Sequence, residues 1–323
     1  PHEHSVFGKS DAGLVFESRL EDLFPDKHDR KPVLDALQDF LRAADCTAPN
    51  PYYALLLADG DRMGKAIDAC RTQEAHRAIS QALDGFAQEV ERIVEESHEG
   101  SLIYSGGDDV LALVPLHTCL PCARELKEAF HMALAGFPTE VGGSTTPTLS
   151  VGLGISHYLD DMADGLELAR RAEKLAKQEP KNSLAILWQK RGGGEALTAC
   201  DTWKSDFLKD LFLDIKIQQA SELSRKLPFE LENLARLLDG AEGDDHVAML
   251  ALAKADARRI LGRKRQSGGN AEIGEDLYSS LGKRIDLIKN AEDLRRLANI
   301  LQLAKEFARA YDQAGASPME EPA

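Results

Sequence analysis

The apolar positions divide the chain into three stretches. Residues 1–50 are mixed. Gly13–Leu20 reads as a strand, and Lys31-Pro32 opens a short helix ending near Ala44. Thr47–Pro51 reads as a linker, since neither proline tolerates helix. From residue 52 short apolar runs alternate with helical periodicity. Tyr52–Ala58 is continuously apolar, as expected of a central strand buried on both faces. Thr72 suits a helix N-cap, and Ile79, Leu83, Phe86, Val90 and Ile93 follow it at helical spacing. Ser101–Tyr104 and Val110–Val114 flank Ser105-Gly-Gly-Asp-Asp109, a hairpin signature. A helix over about Leu120–Ala135, a loop at Gly142–Pro147, a strand at Thr148–Ile155, a helix at Asp161–Gln178 and a strand at Leu184–Trp188 follow. After Arg191-Gly-Gly-Gly194 the pattern is nearly all helical: Phe207–Gln219, Phe229–Leu238, His246–Leu261, Ile285–Lys289 and Ala291–Tyr311.

The order βαββαβ is that of a ferredoxin-like palm, so the fold class is α+β, with an all-α helical bundle after the palm. The expected division is 1–50 as the end of a preceding region and linker, 51–192 as the palm, 193–313 as the bundle and 314–323 as a disordered tail. The chain does not begin with Met and is read as a piece of a longer protein.

Composition narrows the function classes. The 323 residues carry 39 Lys plus Arg against 54 Asp plus Glu, a formal charge of −15. Such a chain does not coat nucleic acid by bulk charge, although a few cations or a metal can reverse the field locally. No apolar run approaches a membrane span. Five cysteines, an odd and sparse set, read as reduced thiols of a cytoplasmic protein. Cys119 and Cys122 form one CxxC without the further ligands that structural zinc needs. His28-Asp29 lacks the further His and Asp of a metal-dependent phosphohydrolase and reads as a surface pair.

The chemistry lies at two strand ends, Asp59-Gly60-Asp61 and Gly106-Gly107-Asp108-Asp109. In a βαββαβ sheet the strands carrying them are neighbours, so their carboxylates converge. Two like charges ~4 Å apart cost about 4 kcal/mol at an effective dielectric near 20. Asp59, Asp61, Asp108 and Asp109 together therefore call for a cation. Mg²⁺ or Mn²⁺ suits hard oxygen ligands and brings phosphates as the remaining ones. Gly60 and Gly64 let backbone N–H groups approach a triphosphate. On strand 148–155, Ser150, Gly152 and Gly154 share a face almost free of side chains, inviting something flat, a base or a packed helix. Arg171, Lys174, Lys177 and Lys181 form a basic stripe, either a solvated helix face or a phosphate contact. Arg258, Arg259, Arg263, Lys264 and Arg265 form a basic cluster in the bundle, either a solvated helix end or a contact with RNA phosphates.

The segments LLLADGDRMGK, LIYSGGDDVLALVPL with CARELKEAF, LSVGLGI and ARRAEKLAKQEPKNSLAI resemble the second palm of the type III CRISPR effector large subunit, in its III-B (Cmr) form. By motif the resemblance covers about residues 13–190, and beyond 201 it holds by position and class only. It implies a palm of the nucleotide-cyclase and polymerase type that binds ATP and, in a complex holding target RNA, joins ATP into cyclic oligoadenylate second messengers for antiviral defence. It implies Asp59, Asp108 and Asp109 as catalytic metal holders with Asp61 nearby. Ser105, Gly106 and Gly107 then shape the hairpin, Gly60, Gly64 and Lys65 face phosphates, and Lys174 and Lys177 are further phosphate contacts. Implied partners are the other effector subunits, guide RNA and target RNA. In that family the ATP pocket lies between two palms, so this chain alone is expected to turn over slowly or not at all. Two alternatives stand beside this reading. A diguanylate-cyclase-like enzyme shares the hairpin but has Glu-Phe where Asp109-Val110 follows Asp108. A non-catalytic scaffold of an RNA-binding complex would keep the palm as a relic.

Overall fold

The computed structural model describes residues 12–44, 47–220, 226–239, 243–267 and 275–318. The leading strand is absent. Ala12–Val15 is a 3₁₀ turn and Glu17–Leu23 a helix, α1. A strand needs a ladder partner for its backbone. This segment instead lies against the loop after the fourth strand, where Phe16 stacks on Tyr158 at 4.0 Å. Helix α2 spans Lys27–Ala43 and starts earlier than the Lys31-Pro32 signal, because Asp26 caps it by accepting from His28 N–H.

Six strands form one sheet: β1 (Tyr52–Asp61), β2 (Ser101–Gly106), β3 (Asp109–Pro115), β4 (Thr148–His157), β5 (Ser183–Trp188) and β6 (Leu197–Thr202). Their order is β2-β3-β1-β4-β5-β6, antiparallel throughout except for the parallel pair β4–β5. The first and third strands are thus neighbours, as expected. β1 runs past the apolar stretch to Asp61, because β4 pairs with it to the end, Asp59 opposite Ser150 and Asp61 opposite Thr148. β6 falls beyond residue 192, in the range assigned to the bundle, so the sheet extends past that boundary. Its pattern is short, and the buried positions alternate with half-buried ones only at Leu197 and Ala199.

One face of the sheet carries Ala54, Leu56, Val110, Ala112, Val114, Val151 and Leu153, all buried. It is covered by α4 (Gln73–Glu91) and α5 (Cys119–Leu134), whose Phe86 and Phe130 meet edge to face at 5.1 Å. Thr72 caps α4 by accepting from Ala75 N–H, as its position predicts. A short helix, α3 (Met63–Ala69), links β1 to α4. The other face is covered over β4 and β5 by α6 (Met162–Ala176), which Asp161 caps. The bare stripe on β4 seats this helix. A Cβ on Gly152 would lie 2.6 Å from Ala172 C and Glu173 Cα, and one on Gly154 would lie 2.7 Å from Ala169 Cα.

Among the described residues five helices follow: α7 (Phe207–Gln219), α8 (Leu227–Leu238), α9 (Gly243–Ser267), α10 (Glu275–Leu287) and α11 (Ala291–Ala314). α7 and α11 share the core of the sheet, where Phe307 meets Trp188 edge to face at 5.9 Å. The far ends pack on α8, α9 and α10 around Leu231, Leu261, Leu281 and Leu301. Within the expected disordered tail, Gly315 closes α11 in the left-handed conformation (φ 62°), and Ala316 O accepts from Gln219 Nε2 at 3.3 Å. Residues 319–323 lie outside the described residues, as do 1–11 and Cys46. Among the described residues no helix is long and apolar enough to cross a membrane.

Candidate nucleotide and metal site

The β2–β3 hairpin turns on two residues, Gly107 and Asp108, between the paired Gly106 and Asp109. Gly107 has φ +66°, the positive value that a II′ turn demands at its first central position. The turn brings Asp108 down on Gly60, where a Cβ would stand 2.8 Å from both Asp108 Cβ and its Oδ2. A side chain at residue 60 would therefore push the two strand ends apart. The β1–β3 register pairs Ala58 with Val110, and continued by one residue it sets Asp59 beside Asp109. Asp59, Asp108 and Asp109 thus come together as the two motifs imply.

Their electrostatics show the crowding. Burial pushes the Asp108 carboxyl above its ordinary range, and Asp109 and Asp59 add to the rise. Asp109 is raised by burial and then by Asp59. One cation answers this charge from within the chain. Lys177, just past α6, pairs with Asp59 and donates to Gly60 O at 3.4 Å. Glu173, one turn earlier on α6, faces the same cluster. Its carboxyl is raised by burial, lowered by Lys177, and raised further by Asp59, Asp109 and Asp61. Glu173 was not among the candidates, although its i, i+4 spacing from Lys177 was a usable signal.

Asp61 departs from its expected role as a metal holder. It is 1% exposed, and its oxygens accept from Thr148 Oγ1 (2.8 Å), Ser150 Oγ (2.9 Å) and Asn182 N–H (3.0 Å). These bonds occupy the carboxylate and staple the loop after α6 onto β1. Lys181 and Asn182 in that loop, and Arg62 after Asp61, all hold positive φ (65°, 51° and 62°) without being glycine. These residues stand around Asp61, whose bond from Asn182 N–H holds the loop in place.

The other candidates separate. Ser150 is fully buried and spent on Asp61, and Gly152 lies under α6, so neither offers a face to a nucleotide. The bare stripe is a helix seat and not a base platform. Gly64 and Lys65 are exposed on α3, with open space where a Gly64 side chain would stand. Gly106 lets the Tyr104 ring fold over the hairpin, since a Cβ there would be 2.5 Å from Tyr104 Cζ. Ser105 Oγ is buried without a hydrogen-bond partner. Lys174 is exposed, so of the stripe Lys177 is the member engaged with the carboxylates. In the bundle, Arg258 pairs with Asp286 and Arg259 with Asp256, while the side chains of Arg263, Lys264 and Arg265 lie outside the described residues. Cys119 and Cys122 are buried in the core of the sheet, and burial pushes the Cys122 thiol up to about 12.

Among the described residues, no three carboxylate, histidine or cysteine side chains stand close enough to enclose a metal ion. That arrangement still fits a magnesium-type ion. Mg²⁺ keeps waters and takes one or two carboxylates plus substrate phosphates, in contrast to a closed protein cage. Asp59 and Asp109 supply hard oxygens from adjacent strands, and the Lys177 ammonium already stands in for a cation against Asp59.

Comparison with known proteins agrees with this architecture. Residues 52–185 match the family model for the second palm domain of Cas10/Cmr2. The CRISPR system Cmr subunit Cmr2 of Pyrococcus furiosus is 28% identical over 338 aligned residues, covering 91% of this chain and 36% of that protein. The chain thus spans little more than a third of the length of this curated relative. Among solved structures, Csm1 of T. onnurineus aligns at a TM-score of 0.52 and 16% identity, over 81% of this chain and 38% of that one. The Csm1–Csm4 cassette in complex with cA4 aligns at 0.51 and 16%, over 79% and 36%. The type III-B Cmr-beta complex bound to cognate target RNA aligns at 0.50 and 14%, over 88% and 42%. At these identities the structural likeness is one of fold.

Proposed function

We propose that this chain, whose residues 52–185 match the model for the second palm domain of Cas10/Cmr2, is part of the large subunit of a type III CRISPR effector and joins ATP into cyclic oligoadenylates. The observation that carries this reading is the convergence of Asp59, Asp108 and Asp109 from two adjacent strand ends around a single lysine. The strand order β2-β3-β1-β4, with α4 and α5 on one face, supports the ferredoxin-like palm and the cyclase or polymerase class. The cassette captured with cA4 and the complex captured with target RNA support the product and the setting by analogy of fold. The partners proposed are the other effector subunits, guide RNA and target RNA, in the cytoplasm.

Asp59 and Asp109 would hold Mg²⁺ or Mn²⁺, with Asp108 completing the acidic wall. Bound there, the metal would favour the ionised ribose hydroxyl and neutralise the departing pyrophosphate. The chain's own residues set the geometry. Gly60 and Gly107 hold the two acidic turns in contact, Asp61 fixes the loop after α6, and Lys177, just past α6, pairs with Asp59 and would be the phosphate contact. The ribose hydroxyl would give its proton to solvent and its oxygen would bond to the α-phosphorus as the bond from that phosphorus to the α–β bridging oxygen breaks, so that pyrophosphate leaves.

The test is an assembled effector complex carrying Asp108→Ala with Asp109→Ala, supplied with labelled ATP or GTP. Loss of the ATP-derived product with target RNA binding retained supports the proposal. Loss of assembly points to a structural role for the hairpin. Turnover of GTP in place of ATP by the unaltered complex favours the diguanylate-cyclase-like alternative.

A further inference from the structure

Lys177 occupies the place where the proposed chemistry wants a metal. It pairs with Asp59, reaches Gly60 O at 3.4 Å, and offsets the charge of Asp108, Asp109 and Glu173. Its backbone is held. Lys177 N–H donates to Glu173 O at 2.9 Å, and α6 is seated on Gly152 and Gly154, so the side chain is the part free to move. A lysine is a compact charge on a flexible four-carbon stem and re-aims at little cost.

We propose that Lys177 is an internal counter-ion that is exchanged for the divalent metal when nucleotide arrives: the metal takes Asp59, and the released ammonium turns to the triphosphate. This inference rests on the metal–nucleotide reading of the site and adds a rule for its loading. A divalent ion arriving alone must break the Lys177–Asp59 pair and then sit beside an ammonium with no new anion to receive it. Glu173, one turn earlier on α6, is half-buried beside the same aspartates and brings the ammonium no new charge. A metal arriving with a triphosphate brings the anion that the lysine needs. The site therefore stays closed to free Mg²⁺ and opens to the metal and the nucleotide together. Arg62 does not substitute for Lys177, because it is paired with Glu179 at 3.3 Å.

The experiment uses the full chain and reads binding, not turnover. Free Mn²⁺ is titrated without nucleotide and followed by electron paramagnetic resonance, in wild type, Lys177→Met and Lys177→Arg. ATP binding is measured separately, in EDTA and again with Mn²⁺ present. Lys177→Met is expected to bind Mn²⁺ at least about tenfold more tightly than wild type, since a like charge near the metal is gone. Lys177→Arg is expected to stay as weak as wild type, and the gain in ATP affinity on adding Mn²⁺ to be about tenfold smaller in Lys177→Met than in wild type. Lys177→Gln, which keeps a polar stem, repeats the comparison should the methionine variant misfold. Equal or weaker Mn²⁺ binding by the neutral variants overturns the exchange, and an equal gain from Mn²⁺ in wild type and Lys177→Met overturns the transfer to phosphate. Failure of every protein to bind Mn²⁺ even with ATP present overturns the metal reading itself, and the exchange with it.

Discussion

Gly152→Ala tests how the fold builds the site. The added methyl would overlap the backbone of α6, with Ala172 C and Glu173 Cα both 2.6 Å from it and Glu173 N nearer still. Carbon contacts settle at about 3.5 Å, so α6 must lift by about 1 Å. No rotamer relieves the clash, because the obstacle is main chain. The lifted helix loosens Leu168, Ala172 and Ala176 from Ala185 and Leu187. Overpacking of this kind costs about 1–3 kcal/mol, and a backbone obstacle places the cost near about 3. Gly64→Ala is the control: nothing lies within 4 Å of its Cβ, and in a helix the change stabilises by about 0.5–1 kcal/mol. Denaturant unfolding of both variants measures the difference. A Gly152→Ala protein within about 0.5 kcal/mol of wild type would refute the helix-seat account of the bare stripe.

The two aspartates of the first motif should respond differently. Asp61→Ala removes the acceptor of one buried and two part-buried donors and is expected to destabilise by about 3 kcal/mol in thermal or denaturant unfolding. Asp59→Ala loses a partly exposed ion pair and is expected to cost less than about 1 kcal/mol while abolishing the Mn²⁺ binding at this site that wild type shows with ATP present. In the bundle, buried Asp214 binds Arg284 at 2.7 Å, and Asp214→Ala, which leaves that guanidinium with the looser partner Asp210 at 3.7 Å, is expected to cost about 3 kcal/mol. Burial raises the Asp214 carboxyl from 3.8 to about 6 against the pull of Arg284. Its folded value therefore lies above its unfolded one, and the ionised form costs stability at neutral pH. That cost is relieved as pH falls through about 6 towards 3.8. Relative to Asp214→Asn, wild type should gain stability between pH 7 and pH 5 in denaturant midpoints; a loss over that interval contradicts the assignment.

Legibility in the sequence followed the range of the forces involved. Local signals carried far: the Thr72 cap, the Gly107 turn and the apolar run of β1 each fix their element through near neighbours. The stripe at Gly152 and Gly154 announced a close approach, but only the packing of α6 decided between a helix and a base. Asp59 and Asp61 are two residues apart on one strand and look alike in the chain. Thr148, Ser150 and Asn182, distant in sequence, claim Asp61, while Asp59 is left beside the hairpin. β6 was hidden because six residues with a weak alternation need the β5 edge to become a strand. The leading segment failed in the opposite way, with strand-forming residues but no strand beside it.

The most direct check is whether metal and triphosphate share the acidic wall. Phosphorus relaxation of bound ATP by Mn²⁺ measures this on the full chain. Strong relaxation of the ATP phosphates in wild type, lost in Asp59→Asn and in Asp108→Asn with Asp109→Asn, is the expected result. Relaxation that survives those neutralisations would place the nucleotide elsewhere and contradict the account.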